Sequence, residues 1–95
     1  MYISAEVILY ETKSGGREGP TPDHHFSCIM SVGDVNLDVR FDLQESGPLV
    51  PGERAIVKTR FLDSDFAKRF ISVGTPFLLR EAGTFGDGVI KSIIS

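Results

Sequence analysis

Ninety-five residues give a chain of one domain's length, with room for a single core. Hydrophobic residues at 41% and charged residues at 24% are ordinary globular composition and exclude a disordered chain. The formal net charge of -3 excludes an overall positive field drawing the chain to nucleic acid or an anionic membrane, and so short a chain can hardly wall off a large active site.

Residues 2–12, rich in Ile, Val, Leu and Tyr, predict a first strand, which Gly15-Gly16 ends. Residues 15–23 hold three glycines and two prolines and predict a loop. Phe26, Cys28 and Met30 alternate with Ser27, Ile29 and Ser31, so a second strand buries its Phe/Cys/Met face. Gly33-Asp34 supplies a hairpin turn. Val35, Leu37, Val39, Phe41 and Leu43 then alternate strictly with Asn36, Asp38, Arg40 and Asp42, the period of a strand with one face in the core. Residues 48–52 break the pattern, with Pro51-Gly52 suited to a tight turn. Ala55, Val57, Thr59 and Phe61 alternate with Arg54, Ile56, Lys58 and Arg60 as a fourth strand. One helical turn fits residues 65–70, with Ser64 as its cap and Phe66 and Phe70 on a common side. Phe77-Leu78-Leu79 and residues 89–94 predict the last two strands, joined by a glycine-rich hairpin. Six short strands at this spacing predict an all-β fold, a small antiparallel barrel or sandwich.

Cys28 is the only cysteine, which excludes an intrachain disulfide and a cysteine-cluster metal site. Its strand face, shared with Phe26 and Met30, predicts an inert buried thiol. Asp23-His24-His25 is the one histidine cluster, but adjacent residues at a strand's start point to opposite faces, so no metal is expected there. The scattered acids show no pairing for acid–base work. Gly83-x-x-Gly86-x-Gly88 lacks the Lys-Ser/Thr ending of a phosphate loop and precedes a strand rather than a helix, so neither nucleotide nor other cofactor is expected. The N-terminus has no basic and apolar signal segment, and no apolar run reaches membrane-spanning length, which points to the cytoplasm. Met1 just ahead of a first strand is what a complete gene product would show, and what a cloned fragment would show as well.

Two features are candidates for contacts. Arg54, Lys58 and Arg60 share the outward face of one strand, and Lys68-Arg69 follow. A solvated strand face is the ordinary reading of such a stripe, and a surface tracking phosphates the alternative. Phe66, Phe70 and Ile71 lie close together between residues 63 and 76. They either plug the end of the barrel, the expected outcome, or stand exposed as an apolar patch rimmed by charge.

Ala5-Glu6-Val7 with Gly15-Gly16-Arg17, the Pro51-Gly52 turn, and Phe77-Leu78-Leu79-Arg80-Glu81-Ala82-Gly83-Thr84-Phe85-Gly86-Asp87-Gly88-Val89-Ile90 occur in this order. Together they resemble the C-terminal β-barrel domain of translation elongation factor Tu. The last stretch is similar to that family's closing hairpin, an apolar run, Arg-Glu-Gly-Gly, a basic residue, then Thr-x-Gly-x-Gly-Val-Val. The resemblance covers nearly the whole chain and implies a six-stranded antiparallel Greek-key barrel that is not itself catalytic. In the elongation factor that domain packs on the neighbouring barrel and the GTPase domain, touches the T-arm of aminoacyl-tRNA and contacts the nucleotide-exchange factor. Arg17, Arg80 and Glu81 match the family's pattern. The chain departs from it elsewhere: no cation stands between Gly83 and Thr84, the His24-His25 region replaces an Arg-Pro in a shorter loop, and the loop from Asp63 to Pro76 is longer than the family's.

The expectation is a binding module without enzymatic activity, docking on a protein partner or on itself. Its candidate contacts are Arg17, Arg54, Lys58, Arg60, Phe66, Phe70, Arg80 and Glu81. The alternative is an accessory domain for tRNA or structured RNA, and the acidic balance and the missing hairpin cation predict that such binding is weak.

Overall fold

A computed structural model describes residues 1–11, 20–22 and 24–94. The strict alternation of the sequence becomes strands that bury every second side chain. β1 runs over Tyr2–Leu9, β2 over His25–Val32, β3 over Val35–Asp42 and β4 over Arg54–Phe61. A single helical turn, α1 (Ser64–Ala67), precedes β5 (Pro76–Arg80) and β6 (Thr84–Ile94). The strands close into one barrel in the order β1-β4-β3-β2-β5-β6, every neighbouring pair antiparallel. The meander β2-β3-β4 with β1 returning beside β4 is a Greek key. The expected fold class is thus the observed one, and closure decides for the barrel over the sandwich.

The inner faces supply the core: Ile3, Ala5, Val7 and Leu9 from β1, Leu37, Val39 and Phe41 from β3, and Val57, Thr59 and Phe61 from β4. Phe26 meets Phe41 at 6.3 Å and the Phe85 ring edge-on at 5.9 Å. The turns follow their local chemistry. Gly33, with φ of 58°, occupies the first central position of the hairpin that pairs Val32 with Val35. Gly52 (φ 87°) follows Pro51 in a turn closed by the Glu53 N–H donating to the Val50 carbonyl, the type II pattern.

Three expectations are corrected. The closing glycines were expected to form a hairpin ahead of a strand over residues 89–94, yet β6 already begins at Thr84. Only Gly83 lies in the turn. Gly86 and Gly88 sit within the strand because it passes too close to β1: a Cβ on Gly86 would lie 2.6 Å from the Ile8 carbonyl oxygen, and one on Gly88 would strike that of Glu6. The cap of α1 is Asp63 rather than Ser64, its carboxylate accepting from the Phe66 N–H at 3.1 Å. The predicted first strand also ends earlier, at Leu9; the Gly15-Gly16-Arg17 stretch and Asp23 lie outside the described residues.

The two barrel ends are built differently. At the Leu9 end, buried Leu43 and Leu49 cover the core, and the Thr21 hydroxyl accepts from the Leu49 N–H at 2.8 Å. At the Met1 end, residues 62–75 cross from β4 to β5 beneath β1 and β6. The Met1 amino group donates to Ser64 Oγ at 3.4 Å, and the Gly74 N–H donates to the Ile90 carbonyl at 2.7 Å. β1 joins the start of the barrel to its finish, with Tyr2 paired to Ile94 in a register that shifts between Ser4 and Ala5.

Candidate functional site

β4 presents Arg54, Ile56, Lys58 and Arg60 outward because Val57, Thr59 and Phe61 face the core. The basic stripe expected there is divided by its neighbours. Arg54 Nη1 lies 3.1 Å from Glu6 Oε1 on β1, so its charge is met within the barrel wall. Lys58 Nζ stands 4.5 Å over the Tyr2 ring, a cation–π contact that leaves the ammonium accessible. Arg60 pairs in register with Arg40 of β3, and among the described residues neither makes an ion pair. Like charges directly opposite each other across a sheet repel, so this is the point of the stripe most open to an anion.

Arg80 ends β5 opposite Ile29, and Glu81 opens the turn, its N–H donating to the Gly83 carbonyl at 3.0 Å. Both line a shallow groove of about 310 Å³ that reaches past Ile29 and Asp38 to Leu62. Arg17, the other arginine that matches the family's pattern, lies outside the described residues.

The crossing segment carries the aromatic pair. The rings of Phe66 and Phe70 lie 5.1 Å apart, so the turn brings them together as the spacing predicted. They do not plug the barrel as expected. Ala67 is fully buried and Ile71 packs against the core, while Phe66 is 41% exposed and Phe70 half-buried. Starting the turn at Ser64 under the Asp63 cap directs position 67 inward, and a methyl suits the close approach there. Leu62, just ahead of the turn, is 63% exposed, and the Arg69 guanidinium stands 5.7 Å over the Phe70 ring. Beside the turn, Met1, Lys68, Ile71 and Ile93 line a recess of about 420 Å³.

The remaining chemistry-bearing groups are dispersed. Cys28 is buried in the wall, and His24 and His25 are exposed at the start of β2. Among the described residues no three of His, Cys, Asp and Glu come together as metal ligands. The Tyr10 hydroxyl donates to Asp87 at 3.1 Å; burial, then that bond, raises its pKa above the ordinary tyrosine value. Among the described residues no helix is long and apolar enough to cross a membrane.

Sequence reasoning did not find Arg40, Tyr2, Leu62 or the Met1–Ile71–Ile93 recess.

The fold and its surface define a class: a small closed Greek-key barrel with a packed interior, an outward arginine pair, and an apolar patch at the Met1 end. No protein-family model matches the chain, and no curated protein matches it in sequence.

Proposed function

We propose that this chain is a non-catalytic protein-interaction module, working in the cytoplasm without nucleotide or cofactor and docking on a protein partner or a second copy. Its barrel is proposed to be of the elongation factor Tu C-terminal type, a reading that rests on the closing stretch from Phe77 to Ile90 and agrees with six antiparallel strands closed in a ring. The observation that carries the function is the exposed Phe66, its ring tilted against that of Phe70 with Leu62 just ahead of the turn, while Ala67 does the capping. Apolar side chains left outside a filled barrel and flanked by Lys68 and Arg69 have the anatomy of a docking surface. The test is Phe66→Ser with Phe70→Ser. Its stability should stay within about 1 kcal/mol of the parent, because the loss is at the surface. Its self-association, or its capture of partners from native extract, should disappear. An early melt with association unchanged would sink the proposal.

A second reading rests on the opposed Arg40 and Arg60, which an RNA phosphate would relieve. Here Arg60→Glu should abolish whatever tRNA binding the protein shows at moderate salt, and unchanged binding would dismiss it.

A further inference from the structure

We propose that the Lys91–Ile94 end of β6 is a docking edge that takes an extended acidic–apolar peptide segment of a partner protein as an added strand. This deepens the interaction reading and rests on it. β6 outruns its neighbour: its pairing with β5 stops at Val89 opposite Pro76, and the crossing segment makes its last bonds to the strand at Ile90, through Gly74 and Thr75. Beyond that point Ser92, Ile93 and Ile94 pair with β1 alone. Among the described residues nothing hydrogen-bonds to the other edge, and all four side chains are exposed. An edge of this kind offers backbone donors and acceptors to an incoming strand.

The flanks say what such a strand should carry. Ile93 lies in register with buried Ile3, hence on the inner face, where it lines the recess with Met1 and Ile71. Ile94 lies opposite Tyr2 on the outer face and is 48% exposed. Alternate side chains of an added strand would therefore meet apolar surface at the recess. The edge itself carries a cation, Lys91, and at the recess Lys68 stands in a long, solvent-exposed ion pair with Asp65 at 3.9 Å. Residues 91–94 carry no carboxylate, so a second copy of the same edge would bring lysine without its complement. A partner strand with acidic residues meets Lys91 and competes with the exposed Asp65 for Lys68, a weak pair at 3.9 Å, while its apolar residues fill the recess.

The experiment titrates the isotope-labelled full chain with an eight-residue peptide alternating Val and Glu, against one alternating Val and Lys. The expected result is amide shifts and slowed exchange centred on Lys91–Ile94 with the acidic peptide only. Lys68→Glu combined with Lys91→Glu should weaken that binding by about tenfold or more and favour the lysine peptide. Equal response to both peptides, no response, or shifts centred elsewhere would overturn the proposal. So would protection of the edge that rises with protein concentration in the absence of peptide, the mark of a self-paired edge. The broader reading fails separately: if Phe66→Ser with Phe70→Ser abolishes partner capture while the double glutamate variant leaves it intact, the module stands and the added strand does not.

Discussion

Val39 and Asp38 are neighbours along β3 with opposite surroundings, the valine 1% exposed and the aspartate turned to solvent. Val39→Asp would bury an unpaired carboxylate at a cost of several kcal/mol, about the whole stability of a small domain, and should yield an unfolded chain. Asp38→Ala should melt with the parent, since Asp38's bond to the Leu62 N–H comes from the backbone carbonyl. Circular dichroism melts of the two variants check the assignment, and similar melting would refute it. The chemistry of Thr59 conflicts with its place: it is fully buried, with a hydroxyl that finds no hydrogen-bond partner among the described residues. Thr59→Val should therefore stabilise the barrel by about 1 kcal/mol, seen as a higher urea midpoint at unchanged slope. A lower midpoint would mean the hydroxyl is satisfied in solution. Alternation made the burial of both residues legible. The orphan hydroxyl was not, because it depends on what Ile3 and Phe41, its cross-strand partners, fail to offer.

Glycine was the signal most easily misread at the scale of elements. In sequence, Gly83, Gly86 and Gly88 all spell a turn, and only the first forms one. A Cβ on Gly83 would meet nothing within 4 Å, whereas on Gly88 it would strike the Glu6 carbonyl and lie 2.6 Å from the Phe77 ring. Gly88→Ala must push β6 away from β1 and β5 together, a loss of about 1–3 kcal/mol. Gly83→Ala should stay within about 0.5 kcal/mol of the parent. Chemical denaturation of the pair decides, and equal stabilities would place the turn wrongly. Local patterns suffice for β3 and β4, whose alternation spans the whole element. They fall short for β6, where the reason for glycine lies across the sheet, and for α1, where Asp63 and Ser64 are equally good capping residues until backbone geometry chooses. The missed edge of β6 has the same origin, since sequence cannot show that β5 ends short of it.

For the molecule as a whole, period-two patterning announced an all-β chain, but whether the sheet closes depends on which distant strands meet, and periodicity carries no such information. The resemblance to the elongation factor barrel supplied that expectation. Function was less legible: among the described candidate contacts, the arginines and lysine of β4 part into a paired, a stacked and an open cation, while Phe66 and Phe70 come together as expected. The net charge of -3 and, among the described residues, the unmet pair Arg40 and Arg60 predict tRNA affinity no better than about 10 µM at physiological salt, the range of non-specific association. Filter binding tests this, and nanomolar affinity lost on Arg60→Glu would raise the RNA reading above the protein one. Calorimetry with GTP and GDP should show no heat of binding, because the glycines lead into β6 and no helix N-terminus receives the phosphates; micromolar affinity would contradict it. The pairing of Tyr2 with Ile94 also bears on how the molecule is made. A ribosome delivers β1 first and its partner β6 last, so the nascent chain must hold β1 and β5 with raw edges while the rest is synthesised. Ring closure then spans almost the full chain, a slow, non-local step during which proteases and neighbouring nascent chains compete for those edges. A chain stopped before Thr84 would be an open sheet with two sticky sides rather than a smaller barrel.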